Sequence, residues 1–529
     1  MDVPLLVDDF LRRAAKLYPN KEAVVDGELR YTYGQFDERV NRMANALAAM
    51  GIAKGDRVCI LSPNSHFFLE SFYAMPRLGA ILVPVNYRLV ASDHEYIMNH
   101  AGVKAVLADH AYTHLVHEVR GNLAHCERFL VLQDGGPPQP GWEDMEELMR
   151  VASPERPPDC GADERDVVTI NYTSGTTARP KGVMLTHRNC YINAYNFIAH
   201  LRISHDDVEL WTLPMFHANG WGGPFAITAM AGKHVVLRAV VAEDIYRLIE
   251  EEGVTFACMA PAVLSTILNY ERKAEHRFTT RPRFVVAGTP PPASFIERLE
   301  QEIGWEFIQI YGLTETAPIL TVSVPDHQLA AASGADPYRR RARAGVEAIG
   351  VDLQVLDDEG RPVPHDDTTV GEVCARSNVV MQGYWQQQAE TDKVIYDGYF
   401  HTGDLATWDE FGNINIVDRK KDVIISGGEN ISSAEVEDAL YKHPAVLECA
   451  VIGVPSERWG ETPKALIVLR EGASATEEEI IGFARERLAH FKCPSSVDFV
   501  ESLPRTATGK LQKFILRERF WEGIDRRVH

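Results

Sequence analysis

Hydrophobic periodicity switches repeatedly along the chain between a helical and a strand pattern, and each switch marks an element. Thr32 is placed to cap a helix with apolar positions Phe36, Val40, Met43, Leu47 and Met50, closed by Gly51, and the run RVCILS after it reads as a strand. The rhythm continues with a helix near residues 67–78, the strand AILVPVN, a helix after Ser92, and the strands KAVLAD and RFLVLQ. Residues 134–166 turn rich in proline, glycine and acids, which marks a long surface connection. Thr186 can then cap a helix with Tyr191, Ala194, Tyr195, Ile198 and Leu201 on one face, and the strands ELWTL, HVVL, TFACMA, RFVVAG and EFIQIY alternate with further helices. Such alternation predicts an α/β fold of doubly wound layers.

From about residue 345 strands dominate, which predicts a β-rich subdomain up to residue 420 within a large N-terminal domain, residues 1–420. Ser432 and Glu435 form a capping box that opens a helix, and residues 421–529 read as a small α+β C-terminal domain with the strands AVLECAVIGV and PKALIVL and a helix over about 477–488.

Composition narrows the function classes. A chain of 529 residues, 45% hydrophobic and 24% charged, has enough length for two or more domains with a large core. The formal net charge of −21 argues against a nucleic-acid partner. Eight cysteines occur without a CxxC pair; Cys59, Cys190, Cys258 and Cys374 lie in apolar stretches and read as small core residues in a reducing compartment. The first residues lack a signal-peptide pattern and no run is long enough for an integral membrane segment, so a cytoplasmic enzyme is expected.

The chemistry concentrates first in YTSGTTARPKG, residues 172–182. Glycine lets backbone N–H groups approach phosphate oxygens, hydroxyls donate further hydrogen bonds, and Lys181 supplies a point charge. A Walker loop would need Ser or Thr directly after that lysine; Gly182 stands there instead. Taken alone, a Ser/Thr/Gly cluster between strands is a turn. Two further loops, AGTPPP and YGLTET, follow strands, and ligands of doubly wound sheets sit at such carboxyl ends.

The first stretch closely resembles the AMP-binding signature of the adenylate-forming superfamily, which includes acyl-CoA synthetases, adenylation domains of peptide synthetases and beetle luciferases. The resemblance implies an ATP site built from Thr173, Ser174, Gly175, Thr176, Thr177 and Lys181. It implies that Gly288, Thr289 and Pro290 border one face of adenine while Tyr311 stacks on the other, with Gly312 and Thr314 beside them. Glu315 and Thr173 are the implied Mg2+ ligands, a hard-oxygen pair. Asp404 and Arg419 match the ribose-holding pair, since one carboxylate can accept from both ribose hydroxyls. Lys510, in LPRTATGKLQK, is implied to stabilise charge as a carboxylate attacks the α-phosphate.

By the same resemblance, His217 meets the carboxylate end of the acid, and Gly220, Trp221, Gly222, Gly312, Leu313 and Ala317 border the acyl pocket. Amino-acid-activating relatives place an acidic residue in this region; none occurs between Leu213 and Phe225, which favours a simple, non-amino acid, fatty, aryl or bulky alicyclic. The adjacent glycines are expected to leave unusual room. The C-terminal domain is implied to be mobile about a hinge at Lys421, bringing Ser426, Gly427, Gly428 and Glu429 to the coenzyme A channel. Ala178 stands where the family usually has glycine, which bears on turnover. The implied activity is an AMP-forming acyl-CoA synthetase, of the fatty-acid–CoA ligase branch, using ATP, Mg2+ and coenzyme A, and compatible with a homodimer. An acyl-AMP ligase loading a separate carrier protein, a luciferase-like oxygenase and a non-catalytic nucleotide or acyl-AMP binding protein are the alternatives.

Overall fold

Thr32 starts the helix Tyr33–Ala49 as its position predicts, its hydroxyl accepting from Gln35 N at 3.3 Å while the Gln35 side chain accepts from Thr32 N at 2.8 Å. Phe36, Val40, Met43 and Leu47 lose all exposure on this helix, each burial contributing roughly 1.5–3 kcal/mol. The structure is a computed structural model that describes residues 2–521 except 136, 174–178, 289, 290, 292, 324–336, 421, 427, 428, 457, 458 and 506–510. Within it the chain forms two compact units, residues 1–352 with 375–400, and residues 353–374 with 401–529.

The first unit holds two mixed sheets. One runs in the order Val346–Glu347, Ile319–Ser323, Glu306–Gly312, Arg283–Val286, Phe256–Met259, Val208–Trp211, Lys233–Val236, Glu22–Asp26, Leu29–Thr32. Its interior strands are parallel and buried on both faces, which is why their sequences are near-continuous apolar runs. Val286 is in register with Gln309, so Gly288 and Tyr311 each lie two residues beyond a paired position at the same sheet edge.

The other sheet runs Gly383–Tyr384, Lys181–Thr186, Val167–Thr173, Ile81–Pro84, Arg57–Leu61, Val103–Asp109, Arg128–Leu132, Glu143–Asp144. Val167–Thr173 and Lys181–Thr186 form an antiparallel pair with Thr173 opposite Lys181. Gly383–Tyr384 then adds to the outer side, Tyr384 opposite Val183.

The helix His187–Leu201 begins at Thr186 as expected, with a reciprocal cap through Asn189, but its buried face only partly overlaps the predicted one, sharing Ala194 and Leu201. Cys190, Asn193, Ala194, Phe197 and Leu201 are buried, whereas Tyr195 is half exposed. A polar residue, Asn193, occupies the centre of the packed face, so apolar periodicity alone misjudged its direction.

In the second unit Tyr399–Trp408 pairs antiparallel with Ile414–Arg419, placing Asp404 opposite Arg419. Val446–Ser456 and Gly460–Leu469 form a long antiparallel pair, with Ser496–Phe499 parallel to the latter and Ile424–Ser426 on its other edge. The helices Ser433–Tyr441, Glu477–Arg485 and Lys513–Trp521 accompany this sheet. Ser432 caps as predicted, accepting from Glu435 N at 3.2 Å, but Glu435 completes no box. Its carboxylate instead pairs with Lys492 Nζ at 2.7 Å. All eight cysteines are free thiols, and among the described residues no helix is long and apolar enough to cross a membrane.

Candidate functional site

Thr173 and Lys181 close the ends of one antiparallel pair, so the phosphate-loop segment between them begins and ends at a single point of the sheet. Lys181 Nζ lies 2.5 Å from Glu390 Oε2 and 4.9 Å from the centre of the Tyr384 ring. The Tyr384 hydroxyl donates to Glu315 Oε1 at 2.9 Å, and Met381 N donates to the Glu315 carbonyl at 2.7 Å. The Lys181 ammonium and the Glu315 carboxylate are thus joined through one tyrosine. Hydrogen bonds from Lys181 and Lys393 hold Glu390 well below the usual carboxylate range, at about 2. Burial, with the charge of Glu315 adding, pushes the Tyr384 phenol up, so it stays a donor. Neither Tyr384 nor Glu390 was legible as a site residue: they lie 69 and 209 positions from their partners.

Glu315 is placed by a tight turn. Gly312 pairs with Ile319, and a Cβ on Gly312 would fall 1.6 Å from the Pro318 carbonyl oxygen, so only glycine fits. Leu313 N donates to Thr316 Oγ1 at 3.0 Å and Ala317 adopts φ 65°, closing the short 3-10 turn Thr314–Thr316 that carries Glu315. Tyr311 lies on the strand that enters this turn and Gly288 two residues past the end of the neighbouring strand; Thr289 and Pro290 lie outside the described residues.

His217 precedes a 3-10 turn, Ala218–Gly222, which leads into the helix Gly223–Ala229. Ala218, Gly220, Trp221 and Gly222 all have positive φ, a run of left-handed residues that needs support. Asn193 gives it: its Nδ2 donates to Trp221 O at 3.1 Å and its Oδ1 accepts from Ile319 N at 3.2 Å, tying this turn to the strand after Ala317. Asn64 braces the approach to His217, donating to Trp211 O and Leu213 O at 2.8 and 2.9 Å and accepting from Met215 N at 2.7 Å. Sequence reasoning missed both asparagines.

The room expected behind the glycines is occupied. A Cβ would meet Trp211 at 2.6 Å from Gly220, Asn193 Nδ2 at 2.3 Å from Gly222 and Glu209 Oε1 at 2.7 Å from Gly223. Here glycine allows close packing of backbone on side chains. Burial, with the charge of Asp207 adding, pushes Glu209 well above the usual carboxylate range, and burial lowers neighbouring His234 to about 3. Both shifts disfavour the charged form of the side chain.

In the second unit, Arg419 Nε lies 3.4 Å from Asp404 Oδ1. Ser426 pairs with Glu429, bracketing Gly427 and Gly428. Arg505 is bridged to Leu511, bracketing the segment that ends in Lys510. Ser174, Gly175, Thr176, Thr177, Ala178, Lys421, Gly427, Gly428 and Lys510 lie outside the described residues. For a divalent ion, the Glu315 carboxylate, anchored through one oxygen by Tyr384, and the Thr173 hydroxyl offer the hard oxygen donors that Mg2+ prefers, so the residues fit it.

Two family models match the chain, the AMP-binding enzyme over residues 11–385 and the AMP-binding enzyme C-terminal domain over residues 435–510. The chain is 39% identical over 523 residues to 4-hydroxybutyrate–CoA ligase 2 of Metallosphaera sedula, covering 97% of this chain and 94% of that one. It is 35% identical to the peroxisomal trans-cinnamate:CoA ligase of Petunia hybrida, covering 98% and 94%. Among solved structures it resembles the anthranilate CoA ligase AuaEII in complex with anthranoyl-AMP, with a TM-score of 0.89 and 28% identity over 98% of both chains. It also resembles a Mycobacterium tuberculosis fatty acyl CoA synthetase, with a TM-score of 0.76 and 32% identity over 98% and 99%.

Proposed function

The chain belongs to the AMP-binding enzyme family, and on that premise we propose how its residues activate a non-amino carboxylic acid of the fatty, aryl or bulky alicyclic class. It is an ATP-dependent acid–thiol ligase of the AMP-forming, acyl-CoA synthetase type, with coenzyme A as co-substrate. A carboxylate oxygen attacks the α-phosphorus of ATP, the bond to the bridging oxygen breaks, and pyrophosphate leaves an acyl-AMP. The thiolate of coenzyme A then attacks the acyl carbon and AMP departs as the thioester forms.

In this reading Lys181 and the hydroxyls of residues 173–177 hold the outer phosphates, Tyr311 stacks on adenine beside Gly288, Thr289 and Pro290, and Asp404 with Arg419 holds the ribose. His217 meets the substrate carboxylate. Trp221, Leu313 and Ala317 line the acyl side, and the lack of an acidic residue between Leu213 and Phe225 supports the non-amino acid. Mg2+, held by Glu315 and Thr173, supplies positive charge against the triphosphate when bound. Lys510 serves adenylation. Residues 421–529 form the mobile domain, which turns about Lys421 so that residues 426–429 serve thioester formation. The observation that carries the reading is the join of Lys181 and Glu315 through Tyr384.

The reading places the protein in the cytoplasm, in keeping with eight free cysteines, and is compatible with a homodimer, which sedimentation would test. The function is tested by pyrophosphate release with a panel holding short hydroxy acids, benzoates, cinnamates, alicyclic acids and fatty acids of rising length. One of these acids raises release well above background, and AMP then appears with coenzyme A and not with a holo carrier protein. AMP formed only with the carrier protein overturns the choice of thiol, and release with no acid but an amino acid overturns the acid class.

A further inference from the structure

Three side chains that the ligase reaction leaves unused meet in the second unit. Glu372 and Cys374 come from the strand Gly371–Ser377 and His401 from Tyr399–Trp408. Cys374 was expected as an inert core thiol, yet its Sγ lies 3.2 Å from His401 Nδ1, and that nitrogen lies 3.7 Å from Glu372 Oε2. One donor atom from each residue lies within 4.8 Å of the other two, and no other such trio exists among the described residues. Cys374 is fully buried and the side chains of His401 and Glu372 are only 12% and 13% exposed.

The spacing is that of metal ligands. A tetrahedral ion bound at about 2.3 Å to sulfur and about 2.0 Å to nitrogen or oxygen holds neighbouring donors roughly 3.5 Å apart, close to the separations already present. Glu372 is aimed, because its Oε1 accepts from Gly403 N at 3.0 Å and this leaves Oε2 turned toward the imidazole. The donor set of thiolate, imidazole and one carboxylate selects a zinc-class ion over Mg2+ or Ca2+. One opposing charge stands nearby. Lys420 Nζ lies 3.4 Å from Glu372 Oε2, but it is half exposed and already lies 3.3 Å from Asp358, which can keep it when an ion arrives.

We propose that Glu372, Cys374 and His401 form a binding site for a zinc-class divalent cation, with water as fourth ligand. The ion displaces the Cys374 thiol proton to solvent and bonds to sulfur; no electron is transferred. The site fastens the segment that carries Asp404, since Thr402 Oγ1 donates to Val373 O at 2.7 Å and accepts from Asp404 N at 3.1 Å. Resting on the ribose role proposed for Asp404, ATP binding then becomes zinc-sensitive.

The test is run without ATP, so that its outcome is separate from that of the ligase reading. The full-length protein, stripped by a chelator, is titrated with Zn2+ against a chromophoric competitor and separately with Co2+. The wild type takes up one equivalent of Zn2+ and shows a near-ultraviolet thiolate-to-cobalt band. Cys374→Ser and His401→Gln lose both, Glu372→Gln weakens Zn2+ binding at least roughly tenfold, and Cys126→Ser changes neither. Absence of a bound equivalent or of the cobalt band in the wild type overturns the site, as does their persistence in His401→Gln. Should Cys374→Ser not fold, judged by its melting curve, the wild-type cobalt spectrum and His401→Gln decide alone.

Discussion

Tyr384 stands between two charges, its hydroxyl on Glu315 and its ring 4.9 Å from the Lys181 ammonium. Tyr384→Phe keeps the ring and removes the donor. A hydrogen bond to a charged group contributes about 1.5–3 kcal/mol, so acid-dependent pyrophosphate release falls roughly tenfold to a hundredfold, while melting temperature changes little. An unchanged rate across a Mg2+ titration would separate Tyr384 from the nucleotide chemistry. Away from the site, His66 is buried, with Nδ1 2.9 Å from Asp26 and Nε2 3.4 Å from Asp134. Burial alone would lower it, but the adjacent Asp134 carboxylate, the hydrogen bond to Asp26 and the charge of Glu70 outweigh burial and raise it to about 9. A histidine raised in the folded state stabilises fully below its unfolded value near 6.5 and loses that contribution as pH rises through 9. The loss between about pH 7 and 9.5 is roughly 2 kcal/mol. Melting scans over that range should show a fall that His66→Gln flattens, and an equally steep fall in the variant would contradict the assignment.

At the scale of elements, the turn between Glu306–Gly312 and Ile319–Ser323 positions Glu315 through one glycine. Gly312→Ala forces a Cβ into the Pro318 carbonyl, so the turn must open; the expected cost is about 2–4 kcal/mol in denaturant melts, with adenylation lost. Asn193→Ala strands two buried backbone partners, Trp221 O and Ile319 N, at about 1–3 kcal/mol each. It should raise KM for the acid more than KM for ATP; equal shifts would show a general loss of fold rather than a misplaced acyl loop. The elements themselves were legible where a local rule sets them, as in the helices capped by Thr32 and Thr186 and the apolar parallel strands. The positions of the motif residues Thr173, Lys181, Tyr311 and Glu315 could be anticipated too, because each sits at a strand end or in the turn just past one. Tyr384, Glu390, Asn64 and Asn193 were not, since their partners are brought in by the fold from 28 to 209 positions away, and no local pattern records that. The burial of Asn193 also turned the predicted face of its helix, keeping Ala194 and Leu201 buried but bringing Tyr195 out. The glycines of residues 220–223 misled in the opposite way, reading as open space where Trp211, Asn193 and Glu209 already stand.

For the molecule as a whole, the account requires that one chain make an acyl-AMP and then a thioester, with Lys510 serving only the first step. Adenylation of a carboxylate at the site built on Lys181 and Glu315, assisted by Lys510, is the step on which the proposed reaction depends. Acid-dependent exchange of labelled pyrophosphate into ATP reads this step directly, with nucleotide binding measured alongside by calorimetry. Lys510→Ala is predicted to bind ATP nearly as the wild type does and to lose exchange roughly a hundredfold to a thousandfold, the usual cost of removing one group that stabilises developing charge. Exchange at the wild-type rate in that variant, with the same acid, would contradict the account.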